Sequence, residues 1–147
     1  MLAMRISRIR RVARKVHPII RAAAPAVTGY TGVFHGTPDQ VGSVRREVGR
    51  RVAACPRPDE IILVASELAT NAVLHSDSQG QFFTFRCEVG ACYCRLEAED
   101  LGGPWDIGTS DAERPHGLDI IETLAGEGNW GAHGDMSGRV VWARLEW

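Results

Sequence analysis

The chain has 147 residues, of which 44% are hydrophobic and 24% charged, a size and composition typical of one globular domain with its own core. Its apolar stretches are short and interrupted, and its N-terminus lacks the apolar run of a signal peptide, so neither a membrane span nor export is predicted and a cytoplasmic location is expected. No two of the four cysteines have the Cys-x-x-Cys spacing. This favours reduced thiols in strands or core over a zinc site at Cys87, Cys92 and Cys94.

Charge is distributed unevenly along the chain. Residues 1–24 carry seven basic side chains and no acid, whereas the remaining residues carry 10 basic and 18 acidic side chains. Apolar residues recur in this basic segment every three or four positions: Leu2, Ile6, Ile9, Ala13 and Val16. That spacing is typical of a short basic amphipathic helix. Three interpretations stay open: a solvated extension or early start codon, a segment that docks on an acidic surface, and attachment to a membrane or nucleic acid.

We expect residues 1–27 to form an N-terminal extension and linker, and residues 28–147 to form the domain. The domain is predicted to begin with an edge strand at 29–34. A helix should follow, with Thr37 as its cap and Pro38 in its first turn. It would run to about Cys55 and bury one line of valines: Val41, Val44, Val48 and Val52.

A second helix is predicted from Asp59 to Ser76, since Pro58, Asp59 and Glu60 are typical of a helix N-terminus. Its apolar surface is expected to contain Ile62, Leu63, Ala65, Ala69, Ala72 and Val73.

Three polar residues interrupt that apolar helix at intervals of four: Glu67, Asn71 and His75. They form one line along the helix. Asn71 can offer a side-chain oxygen to a hard cation such as Mg²⁺, and Glu67 can orient or deprotonate a hydroxyl or water beside it. A solvated helix face, or a polar pair satisfied inside the fold, is the alternative.

Two strands follow a turn at 76–80. Phe83, Phe85 and Cys87 alternate with polar residues, and the alternation resumes at 93–99, which predicts an antiparallel hairpin.

The second strand leads into Asp100-Leu101-Gly102-Gly103. Glycine lets backbone approach a flat ring, and a carboxylate can accept a hydrogen bond from an exocyclic amine such as that of adenine. A base pocket is therefore one interpretation of Asp100, Gly102 and Gly103, and an ordinary turn is the other.

In the last third of the chain, the sequence predicts a polar loop at 106–114 and a helix that begins at 115–118 and ends at Gly126. Two strands are predicted after it, at 129–131 and 139–147. A glycine at a helix start leaves N–H groups exposed to an anion, so phosphate could bind there. The order of elements predicts an α/β two-layer sandwich, in which helices cover one face of a mixed, mostly antiparallel sheet.

These residues resemble the histidine-kinase-like ATPases (Bergerat-type), in the small bacterial form related to anti-sigma-factor serine/threonine kinases. Residues 67–75 resemble the N-box of that family, Glu-Leu-x-x-Asn-Ala-x-x-His. Residues 100–103 and 115–118 are similar to its two glycine boxes, and residues 137–143 resemble its last strand. The four segments occur in the family's order over about residues 30–147.

The resemblance implies ATP and Mg²⁺ as ligands. It implies that Asn71 holds Mg²⁺, that Asp100 binds the adenine amino group, and that Glu67 is the base that activates an attacking hydroxyl. Gly102 would shape the base pocket, and Gly117 would lie beneath the phosphates. The full set of implied nucleotide-binding residues is Asn71, Asp100, Gly102, Gly103, His116, Gly117 and Leu118.

The implied reaction is transfer of the γ-phosphate to a serine or threonine of a small anti-sigma-factor antagonist, with a sigma factor as the competing partner. A non-catalytic module that sequesters a partner in an ATP-dependent way is the alternative, and a domain that has lost nucleotide binding is a third interpretation. Direct nucleic-acid binding is not expected, and a homodimer is left open.

Three features depart from the family pattern. Pro115 stands where the second glycine box usually has glycine, which removes one N–H donor. Val140 stands where many members have a threonine that helps to hydrate adenine, so base affinity is expected to be lower. The loop at 106–114 is short for an ATP lid, and Arg114 beside it is a candidate for contact with the terminal phosphate or with an acid of a partner.

Overall fold

The computed structural model describes residues 27–104 and 116–147, apart from the side chain of His116. The described elements, in chain order, are β1 (Thr28–His35), α1 (Asp39–Val52), α2 (Pro58–Leu74), β2 (Phe82–Val89), β3 (Tyr93–Asp100), α3 (His116–Ala125), β4 (Trp130–Asp135) and β5 (Gly138–Glu146). This order agrees with the prediction. The predictions for the basic N-terminal segment, the loop at 106–114, Arg114 and Pro115 lie outside the described residues.

The five described strands form one sheet in the order β1-β2-β3-β5-β4, with β1 at an edge as predicted. Each of its four pairings is antiparallel. The described sheet therefore contains no parallel pair, whereas the prediction allowed a mixed one. The three helices pack on the same face of this sheet, which confirms the two-layer α/β sandwich.

The core lies between this sheet and the helices. Alternate residues of β2, β3 and β5 face the helices and are buried: Phe83, Phe85, Cys87, Cys94, Leu96, Ala98, Val141, Ala143 and Leu145. This alternation with period two is the one predicted from the sequence. The opposite sheet face carries ion pairs, among them Arg86 with Glu99 at 2.6 Å, and the guanidinium of Arg95 lies over the Trp142 ring.

Helix α1 begins differently from the prediction. Its N-cap is Pro38, and no side chain caps it. The carbonyl oxygen of Thr37 accepts the first helical hydrogen bond, from Gln40 N at 3.0 Å. The Thr37 side chain hydrogen-bonds to Asp39, which lowers the pKa of that carboxyl. Thr37 therefore contacts the start of α1 through its backbone carbonyl oxygen and through the hydrogen bond of its side chain to Asp39.

Helix α2 begins at Pro58 with acids in its first turn, as predicted, but its buried face is rotated. Ile61, Val64 and Leu68 are fully buried, whereas Leu63 is 43% exposed. The helix packs against α1 on one side and α3 on the other, as well as against the sheet. Since α2 is apolar almost all round, these neighbours decide which residues are buried.

The four cysteines are free. Cys87 and Cys94 are buried on adjacent strands with their sulfur atoms 3.9 Å apart, and Cys92 is exposed in the intervening turn. Within the described part of the chain, no helix has the length and apolarity needed to cross a bilayer.

The phenylalanines of β2 offer a test of the core. Phe85 is fully buried, while Phe82, in the same strand, is 49% exposed. We expect Phe85→Ala to lower the free energy of unfolding by about 3–5 kcal/mol, because it removes a large side chain and leaves a cavity. Phe82→Ala should cost less than about 1 kcal/mol. Urea unfolding of the two variants measures both values, and equal losses would contradict this assignment of the core.

Candidate functional site

The polar line of α2 contains a buried amide. Asn71 is 5% exposed, and its Nδ2 has no hydrogen-bond partner among the described residues. An unsatisfied buried donor costs about 1–3 kcal/mol. A polar group kept at that cost is explained more simply by a ligand than by stability. Glu67, one turn earlier, is only partly buried.

Gly117, in the first turn of α3, lies directly against these two side chains. A Cβ at this position would be 2.5 Å from Oε2 of Glu67 and 3.5 Å from Oδ1 of Asn71. The fold thus brings together three residues that the sequence separates by up to 50 positions. A Cβ at this position would require the Glu67 carboxylate to shift.

Asp100, the last residue of β3, is the predicted base-reading carboxylate. It is 4% exposed. Its Oδ1 accepts a hydrogen bond from Gly102 N at 2.7 Å, and its Oδ2 accepts one from Arg139 Nη2 at 3.3 Å. Burial raises the pKa of Asp100, while the Gly102 hydrogen bond and the charge of Arg139 act in the opposite direction.

The two glycines after Asp100 have positive φ, +78° at Gly102 and +98° at Gly103. Their backbone connects two turns: Gly102 O accepts from Asp77 N at 2.9 Å, and Gly103 N donates to Met136 O at 3.0 Å. A hollow of about 300 Å³ opens beside them. It is lined by Gly103, Gly134, Asp135, Met136 and Arg139.

Arg139 connects this pocket to α2. The Nη2 atom that binds Asp100 also donates to the carbonyl oxygen of His75 at 2.9 Å, and His75 N donates to Asn71 O at 2.9 Å. Three hydrogen bonds therefore connect the Asp100 side chain to the backbone of Asn71. The His75 side chain, third in the predicted polar line, is exposed beyond the end of α2.

The sequence analysis did not identify Arg139 as a neighbour of Asp100. It placed Val140 at the position that affects adenine binding instead. Val140 pairs with Glu99 and His133 on the sheet face opposite to Asp100. Because side chains alternate along a strand, the residue beside Asp100 is Arg139. The register of β3 against β5 would have revealed this, and a single sequence does not supply that register.

The segment at 115–118, which resembles a second glycine box, is only partly described. Leu118 was predicted to bind nucleotide, but its side chain is fully buried in the hydrophobic core. Any ligand contact of Leu118 would have to come from its backbone. The His116 side chain lies outside the description.

Gly102 offers a test of this loop, with Gly80 as the matched control. Both have positive φ, +78° and +73°. A Cβ at Gly102 would lie 2.6 Å from the carbonyl oxygens of Asp135 and Met136, whereas no described atom lies within 4 Å of a Cβ at Gly80. Gly80→Ala should cost about 1–2 kcal/mol from backbone strain alone. Gly102→Ala should cost clearly more in thermal or urea unfolding, and equal costs would contradict the close packing.

The sequence matches no family model and no curated protein. Its fold is similar to that in the crystal structure of the RsbU and RsbW domains of Rv1364c from Mycobacterium tuberculosis, with a TM-score of 0.63 and 15% sequence identity. The match covers 81% of this chain and 32% of that chain. At this identity the similarity concerns the fold.

Proposed function

We propose that this domain binds ATP with Mg²⁺ and acts as a serine/threonine kinase of the anti-sigma-factor type. One observation carries the proposal: Gly117 lies against the side chains of Glu67 and Asn71, and the buried Asn71 amide has a donor that no described residue satisfies. The resemblance of the sequence motifs and the likeness of the fold to a structure containing an RsbW domain support it further.

The residues present suit the proposed ligands. Mg²⁺ prefers oxygen donors and is usually held by one or two protein groups together with substrate phosphates. Asn71 Oδ1 would be such a donor, and the backbone of Gly117, at the start of α3, lies beside it. When bound, Mg²⁺ would neutralise phosphate charge. Asp100 would accept a hydrogen bond from the adenine amino group, and Gly102 and Gly103 would let the base approach the backbone.

In this proposal Glu67 is the general base. Its carboxylate takes the proton of a serine or threonine hydroxyl on the substrate protein as the hydroxyl oxygen attacks the γ-phosphorus. The bond between that phosphorus and the β,γ-bridging oxygen breaks, so that ADP leaves. Phosphoryl transfer depends mainly on positioning and charge neutralisation, which a carboxylate, a metal-binding amide and backbone donors can provide.

The proposed partners are a small antagonist protein that receives the phosphate and a sigma factor that the domain sequesters. Calorimetry with ATP, with and without Mg²⁺, tests nucleotide binding. Capture of partners from the native cytoplasm with and without ATP tests partner binding. Phosphoserine or phosphothreonine analysis of the captured antagonist tests phosphate transfer. ATP-dependent capture without phosphate transfer would favour the non-catalytic binding module. The absence of heat with ATP even at millimolar concentration would overturn the proposal.

A further inference from the structure

Arg139 occupies an unusual position for a cation. It lies on the helix-facing side of β5 and is 6% exposed. The other residues on this face of the strand, Val141, Ala143 and Leu145, are apolar. Burying a guanidinium is costly unless it is paired. Its carboxylate partner, Asp100, is buried to the same degree.

We propose that Arg139 is a specificity-determining residue of the base pocket: it holds the Asp100 carboxylate ionised and fixed in direction, as the acceptor for the 6-amino group of a purine. This inference deepens the proposed nucleotide binding and rests on it. Arg139 is a positioning residue here, because it acts on the base through Asp100.

The charges around Asp100 explain why a cation is needed there. From the turn after α2, Asp77 approaches with a second negative charge, and its carboxylate would lie 2.7 Å from a Cβ at Gly103. Burial raises the pKa of Asp100 most, and Asp77 raises it further. Against these act the Gly102 N–H and the positive charge of Arg139 from β5. Without Arg139, the low exposure and the neighbouring carboxylate would raise the pKa of Asp100 with only the Gly102 N–H acting against them.

The protonation state matters because it decides what the pocket can recognise. An ionised carboxylate only accepts hydrogen bonds, and each oxygen has two lone pairs. Gly102 N occupies one site on Oδ1 and Arg139 Nη2 one on Oδ2, so acceptor sites remain for an amine. A protonated carboxyl would instead present an O–H donor and lose its preference for an amino group.

The test compares ATP with purine riboside triphosphate, which lacks only the 6-amino group. For the wild-type protein with Mg²⁺, we expect ATP to bind at least about 10-fold more tightly, the value of one hydrogen bond to a charged group. Arg139→Gln should reduce this ratio to within about 3-fold. Arg139→Lys, which keeps the charge, should restore part of it. In an Asp100→Asn background, Arg139→Gln should change the ratio no further.

The matched control is Arg144→Gln, because Arg144 lies in the same strand on the opposite face and pairs with Glu146 at 2.7 Å. It should leave the ratio unchanged. If the wild-type protein binds neither nucleotide, the proposed function fails. If the wild-type protein prefers ATP and Arg139→Gln keeps the full preference, the role of Arg139 is overturned while nucleotide binding stands.

A measurement on the unaltered protein keeps the inference testable even if Arg139→Gln does not fold. The ¹³Cγ chemical shift of Asp100 at pH 7 should be that of an ionised carboxylate. A shift typical of a protonated carboxyl would overturn the inference.

Discussion

Replacing Asn71 with leucine should weaken binding of Mg-ATP by at least about 100-fold, roughly 2.7 kcal/mol, while leaving the protein as stable as before or more so. Leucine has nearly the shape of asparagine but no polar atoms. It removes the proposed Mg²⁺ ligand, and it also removes an Nδ2 that no described residue satisfies. Relief of that unsatisfied donor should raise the free energy of unfolding by up to about 1–2 kcal/mol. Calorimetry with Mg-ATP and urea unfolding measure the two effects.

Opposite changes in binding and stability are the signature of a residue retained for function. The control is Thr70→Ala, one position earlier in α2, because Thr70 Oγ1 donates to Ser66 O within the helix and takes no part in the proposed site. That variant should bind Mg-ATP like the wild type. A large loss of stability in Asn71→Leu, with Mg-ATP binding unchanged, would mean that the amide is structural.

Much of the fold could be predicted because its local signals agree with its tertiary environment. Phe83, Phe85 and Cys87 alternate with polar residues and face the core as that pattern indicates. Pro58 and the acids after it mark the start of α2. Prediction failed where neighbours decide the outcome: Leu63 is exposed because α1 and α3 set the buried face of α2.

The site was accessible to sequence reasoning only in part. The spacing of Glu67 and Asn71 places them on one helix face whatever the rest of the chain does. The approach of Gly117 to both is a tertiary fact, since it depends on how α3 packs against α2. The sequence could not reveal the role of Arg139, because its position beside Asp100 depends on how β3 pairs with β5. The end of β3 at Asp100 and the start of β5 at Gly138 are 38 residues apart in the chain.

The end of the molecule away from the site is held by a different arginine. Arg57, at the start of α2, donates to Leu124 O at 2.8 Å and to Glu146 O at 3.0 Å. It thereby fixes the start of α2 against the last turn of α3 and the end of β5. These two hydrogen bonds connect α2, α3 and β5 at the end away from Glu67 and Gly117.

Replacing Glu67 with glutamine should abolish phosphate transfer while nucleotide still binds. Glutamine keeps the size and the hydrogen-bonding reach of glutamate but cannot take the proton of the attacking hydroxyl. Removing a general base typically costs about 10²–10⁴-fold in rate. The ATP dissociation constant should stay within about 3-fold of the wild-type value. Transfer of labelled γ-phosphate to the captured antagonist, and calorimetry with Mg-ATP, measure the two quantities.

Glu60→Gln is the matched control, because Glu60 lies on the same helix but pairs with Arg57 at the end away from the site. It should transfer phosphate at the wild-type rate. Unchanged transfer in Glu67→Gln would remove Glu67 from the mechanism, and a loss of ATP binding in that variant would make it a binding residue instead. If the wild-type protein itself transfers nothing but holds its partner only with ATP, the candidate site at Glu67, Asn71 and Gly117 serves binding alone. The two kinds of function thus differ in what Glu67 does, although they share one geometry.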